Sequence, residues 1–101
     1  MIESIFHTGF VVKDLEKSVA WYMDTMELLL IRRGENNDES VAKILGYPNM
    51  HVKVAFLGTS NGHQLELVQY ISPVSEDIHK GRKDIGASHL AFTVKNIDAF
   101  Y

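Results

Sequence analysis

From Ile5 to Val12 the chain is apolar or small with β-branched members, the composition of a strand buried on at least one face. Alternation along it puts Thr8, Phe10 and Val12 on one side and His7, Gly9 and Val11 on the other. Asp14 then reads as a helix N-cap. Leu15, Val19, Tyr22, Met23 and Met26 follow at helical spacing and predict about three turns with one apolar stripe, fit to cover the Phe10 side of the strand. LLLIRR at 28–33 predicts a second strand ending at Gly34, and ENND at 35–38 a polar turn with capping candidates. SVAKIL predicts a short helix stopped by Gly46, which Pro48 forbids from continuing. VKVAFL at 52–57 and HQLELVQY at 63–70 predict two strands joined through GTSNG, whose glycines and Asn61 suit the positive φ angles of a hairpin. The order is strand, helix, strand, short helix, strand, strand.

Residues 71–87, with Pro73, Gly81, Gly86 and scattered charge, lack periodicity and read as a connector. Beyond them the opening pattern returns. HTGFVVKDLEKSVAWY at 7–22 lies on HLAFTVKNIDAFY at 89–101 with a constant offset of 82 residues. His7 falls on His89, Phe10 on Phe92, Val12 on Val94, Lys13 on Lys95 and Asp14 on Asn96. The repeat predicts a strand at Ser88–Val94, a cap at Asn96 and a helix start carried by Ile97 and Tyr101. The chain therefore divides into a first unit at 1–70, a connector at 71–87 and the opening of a second unit at 88–101. Either it is a fragment of a longer protein, the favoured expectation, or another chain completes the fold. An unfinished sheet leaves open edges and an uncovered apolar face, so self-association is expected.

Composition narrows the function. With 46% hydrophobic and 23% charged residues among 101, the chain reads as one small soluble domain. A unit of about eighty residues buries only roughly 60 to 65% of its unfolded surface, so a partner surface would help it. The formal charge of −3 argues against general nucleic-acid or membrane-surface binding. The chain has no cysteine, hence no disulfide frame and no thiolate ligand or nucleophile. There is no basic-then-apolar leader pattern and no apolar run near the ~20 residues of a membrane span, so a cytoplasmic, unprocessed protein is expected.

The repeat places His7 and His89 at equivalent strand positions, each opposite the helix-covering Phe and Val. Two related units would bring these imidazoles toward a shared axis. Without cysteine, two histidines suggest a mixed nitrogen and oxygen metal site; ordinary hydrogen-bonded strand histidines are the plain alternative. Glu66, inside LELV, is the third candidate. A buried unpaired carboxylate is costly and calls for solvent or a cation, although Gln64 and Glu66 on one face and Leu65 and Leu67 on the other also describe any sheet with one wet side. His63 lies an odd number of positions from Glu66 and points to the opposite face, as a surface residue. His51 starts a strand. HKGRK at 79–83 is a solvated loop, or a holder for an anionic substrate tail. Trp21 flanks the helix stripe and faces a neighbouring subunit or the surface.

At these residues the chain resembles the vicinal oxygen chelate superfamily, which includes glyoxalase I, methylmalonyl-CoA epimerase, extradiol dioxygenases and bleomycin or fosfomycin resistance proteins. The resemblance spans nearly the whole chain and rests on HTGFVVKDLEKSVAWY, HVKVAFLGTSNGHQLELVQY and GASHLAFTVKNIDAFY in that order and spacing. It implies an α+β fold of paired βαβββ units whose sheets curl around a metal. His7, Glu66 and His89 match three of the family's ligands, and the ion would be divalent Zn, Ni, Co, Mn or Fe. The family's fourth ligand, a glutamate on the last strand of the second unit, has no counterpart in these residues.

For function, the resemblance implies a metal-dependent lyase or isomerase of the glyoxalase type, acting on a small 2-hydroxy carbonyl adduct or an acyl-CoA, with Glu66 as ligand and catalytic carboxylate. The alternatives are a non-catalytic binding protein of the bleomycin-resistance type and an extradiol dioxygenase, which uses two histidines and a late glutamate. Glu66 tilts toward the isomerase, and the three ligand matches together count against the binding protein. A small-molecule substrate and a homodimer are expected, with no nucleic acid and no membrane. Arg32, Arg33, Tyr70 and the 79–83 loop are candidates for gripping the substrate.

Overall fold

The computed structural model describes residues 1–60, 62–78 and 81–98. Its elements are β1 (His7–Val11), α1 (Leu15–Asp24), β2 (Leu29–Asn36), α2 (Glu39–Leu45), β3 (His51–Gly58) and β4 (Gln64–Ser72). The strands form one sheet in the order β1-β4-β3-β2. β1 runs parallel to β4, and the other two pairs are antiparallel. This is the mixed four-stranded α+β module expected from the pattern.

Local chemistry sets the helix ends. Asp14 is extended and its carboxylate accepts from the Lys17 N–H, while the Gln69 side-chain oxygen accepts from the Leu15 N–H at 2.8 Å, so two orphan donors of the first turn of α1 are satisfied. Gly46 closes α2 in the left-handed conformation, φ 80°, and its N–H bonds the Ala42 carbonyl. α1 lays Leu15 and Val19 on Ala55, Leu57, Leu65 and Leu67, with Phe10, Val12, Tyr22 and Met26 at the margin. A second cluster, Ala42, Met50 and Val52 with Val41, Val54, Val68 and Tyr70, fills one end of the opposite sheet face. Among the described residues no helix covers the rest of that face, where Phe56 is buried among Phe6, His7 and Arg32.

Three expectations are corrected. Gly34 does not end the second strand, because β2 runs through it to Asn36: Gly34 pairs with Val54, and a continuing ladder outweighs the weak preference of a single glycine. The first helix stops at Asp24, before Met26; a Thr25 N–H bond to the Trp21 carbonyl closes it, and Met23 is exposed. The recurring strand at Ser88–Val94 is not formed. β1 exists because β4 supplies its ladder, and among the described residues nothing plays that role for 88–94. The repeated cap survives as a turn in which the Asn96 side-chain oxygen accepts the Asp98 N–H. Asn61, His79, Lys80 and Tyr101, each given a role above, lie outside the described residues. No helix among the described residues is long and apolar enough to cross a membrane.

Candidate functional site

The parallel register places His7 opposite Gln64 and Gly9 opposite Glu66. Since residues two apart share a face, His7, Gly9 and Glu66 gather on the face that α1 does not cover. Antiparallel pairing extends the row, with Phe56 opposite Glu66 and Arg32 opposite Phe56. One line of side chains thus crosses the four strands at the open end of the sheet.

His7 Nε2 lies 3.6 Å from Glu66 Oε1, with side chains 34% and 22% exposed. That is too long for a hydrogen bond. It is close to the separation of two donors on one ion, since bonds of about 2.1 Å in tetrahedral geometry put neighbouring ligands about 3.4 Å apart. Gly9 leaves the carboxylate room for this placement, because a Cβ there would stand 3.1 Å from Glu66 Oε1 and displace it slightly. The imidazole is wedged edge-on between rings, its centroid 4.7 Å from Phe6 and 5.3 Å from Phe56. His7 Nδ1 is buried without a hydrogen-bond partner among the described residues. Metal-bound histidines usually donate from that second nitrogen, so the rings of Phe6 and Phe56, and no polar partner, hold this imidazole in place. The donor set, one imidazole and one carboxylate, fits a divalent ion as half of a site.

His89 does not join them. It is exposed, and the residues after it, Leu90, Ala91 and Phe92, line a cavity walled by Thr8, Leu28 and Leu65, at the side of the sheet that carries α1. Among the described residues no three His, Asp or Glu side chains gather as a metal-holding group. His63, as expected, lies away from Glu66 and meets Thr8 Oγ1 at 2.6 Å, and His51 pairs with Glu35. Arg33 grips Glu16 of α1 in a two-pronged ion pair, which holds the Glu16 carboxyl below its ordinary pKa and raises the guanidinium's. Tyr70 packs edge-on against Tyr47 in the second cluster, away from His7 and Glu66. The sequence reading missed Phe6, Phe56 and Gly9. The alternation around Phe56 and Gly9 carried the signal, once β4 was known to lie between their strands.

The sequence matches the Glyoxalase/Bleomycin resistance protein/Dioxygenase superfamily over residues 6–101. A glyoxalase family protein from Bacillus cereus superposes with a TM-score of 0.80 at 21% identity, over 99% of this chain and 68% of that one. The structure of SMU.1112c superposes with a TM-score of 0.62 at 24% identity, over 98% of this chain and 70% of that one. At such identities the likeness speaks for the fold alone. No curated protein sequence matches significantly. With the match covering nearly its full length and the βαβββ module in place, the chain belongs to the Glyoxalase/Bleomycin resistance protein/Dioxygenase superfamily.

Proposed function

We propose that this chain is part of a metal-dependent lyase or isomerase of the glyoxalase type, acting on a small 2-hydroxy carbonyl adduct or an acyl-CoA. The observation that carries the reading is the convergence of His7 Nε2 and Glu66 Oε1 at 3.6 Å on the open sheet face. His7 and Glu66 would hold a divalent ion, with His89 as third ligand. Since His89 stands apart from the pair, it would reach them from a second copy of the chain or by rearrangement of residues 88–98; either route agrees with a homodimer in which exposed Leu29, Leu30 and Ile31 of edge strand β2 gain cover.

The ion, when bound, supplies Lewis acidity worth several kcal/mol to two neighbouring substrate oxygens, which makes the adjacent carbon acid easier to deprotonate. The chain's own residues do the rest. Glu66, partly exposed and set in the Gly9 gap, takes the proton from that carbon and returns it. Phe6 and Phe56 fix the imidazole and exclude water from its flank.

The test is proton exchange in deuterium oxide. The protein incubated with a hemithioacetal or an acyl-CoA should incorporate deuterium at the α-carbon, and Glu66→Gln should reduce that rate more than it reduces substrate binding. Oxygen uptake with a catechol and no deuterium incorporation would make the protein a dioxygenase; binding with neither reaction would make it a binding module.

A further inference from the structure

Arg32 and Arg33 are neighbours in sequence and strangers in surroundings. Arg33 is neutralised by Glu16. For Arg32 the structure gives no ion pair or side-chain hydrogen bond among the described residues; its guanidinium carbon lies 4.1 Å from the centre of the Phe56 ring.

The cause is a β-bulge. Leu30 pairs with Leu57, yet the residue opposite Phe56 is Arg32, with Ile31 inserted between. In an unbroken ladder Ile31 would face Phe56, and Arg32 would face Ala55 on the α1 side. The extra residue turns Arg32 onto the face that carries His7 and Glu66 and sends Arg33 to Glu16. Re-aiming a side chain beside a site is what such bulges commonly do.

The charge so placed is uncompensated. Glu66, the nearby carboxylate of the row, lies beside His7, and the guanidinium over the Phe56 ring carries a planar fork of N–H donors, the form suited to a two-pronged hold on an oxyanion. The Phe56 centroid is 4.1 Å from the guanidinium carbon and 5.3 Å from the His7 centroid, so the guanidinium carbon lies at most 9.4 Å from the centre of the imidazole. A molecule with oxygens at His7 and Glu66 and an anionic group at Arg32 is therefore short.

We infer that Arg32 binds a carboxylate or phosphate of the substrate, which makes the substrate a compact carbonyl compound whose oxyanion lies a short distance from its chelating oxygens. The inference rests on His7 and Glu66 being where those oxygens sit.

Calorimetric titration with para-substituted benzohydroxamates tests it, the hydroxamate standing in for the two vicinal oxygens. With a divalent ion present, the wild type should bind the 4-carboxy or the 4-phosphono probe about tenfold more tightly than the neutral 4-carbamoyl probe; the tighter of the two names the anion. Arg32→Gln should bring the three together. Arg32→Lys, which keeps the charge and loses the fork, should retain part of the preference. Should Arg32→Gln fail to fold, the reduced preference of Arg32→Lys decides. In the wild type the Arg32 Nε–H resonance should shift with the anionic probes and stay with the neutral one, which a guanidinium serving only to cover Phe56 would not do. Equal affinities in the wild type, or a preference unchanged in both variants, overturns the inference. Failure of the metal reading looks different: the hydroxamates would then bind no tighter than the matching primary amides, while the Arg32-dependent preference persists.

Discussion

Replacing Gly9 by alanine should separate the stability of the fold from the quality of the site. Gly9 sits in β1, outside the left-handed region, so an alanine is sterically allowed by its backbone. In an extended strand, removing glycine's excess freedom in the unfolded chain should stabilise by about 0.5 to 1 kcal/mol. The added Cβ meets Glu66 Oε1 at 3.1 Å, and the next nearest atoms, Glu66 Cβ and its carbonyl oxygen, are at 4.0 Å. Only the carboxylate has to move, by about 0.3 Å to reach ordinary contact, beyond the tolerance of about 0.2 Å for a metal ligand. The expected cost is about tenfold in divalent-metal affinity, or about 1.4 kcal/mol. Urea unfolding of the metal-free protein reads the first quantity, and competition against a metal-sensitive dye reads the second. Gly9→Ala with raised stability and unchanged metal affinity would refute the claim that the Gly9 gap positions a ligand. A loss of stability above about 1 kcal/mol would refute the claim that only the carboxylate moves.

Leu67→Ala should lower unfolding stability by about 2 to 5 kcal/mol in urea, because Leu67 is fully buried under α1 and its removal leaves a cavity in a small core. The Glu16 carboxyl is held below its ordinary pKa by Arg33, so its contribution to stability is complete above the ordinary glutamate range and is lost as pH falls through the lowered value. Glu16→Gln should therefore lower stability by a small, constant amount at and above neutrality and bring the two stability–pH profiles together in acid, flattening the acid limb, and salt should shrink the neutral-pH difference because the pair is exposed.

Much of the module could be read locally. Asp14, Gly46 and the stripe of Leu15 and Val19 act within a turn or two of chain, and LELV alternates strictly, so caps and faces followed from spacing alone. The Gly34 stop failed because the competing influence, pairing with Val54, comes from twenty residues downstream. The bulge between Leu30 and Arg32 leaves no comparable local mark, so which arginine faces His7 and Glu66 was undecidable until β2 was laid against β3. The repeat at His89 was legible as sequence, yet a strand needs a ladder partner, and residues 88–98 take another course here. Convergence of His7 and Glu66 was foreseeable as a shared face; their spacing depended on the parallel β1–β4 register and on Gly9.

The most direct test of the account is metal binding by the wild type, His7→Ala, Glu66→Ala and His89→Ala, titrated with zinc or nickel and measured as bound metal per chain after dialysis. We expect His7→Ala and Glu66→Ala each to lose bound metal, as removal of one of two convergent donors requires, and His89→Ala to lose it as well through the third position. Unchanged stoichiometry and affinity in both His7→Ala and Glu66→Ala would contradict the account, because no ion could then sit between the two side chains that carry it.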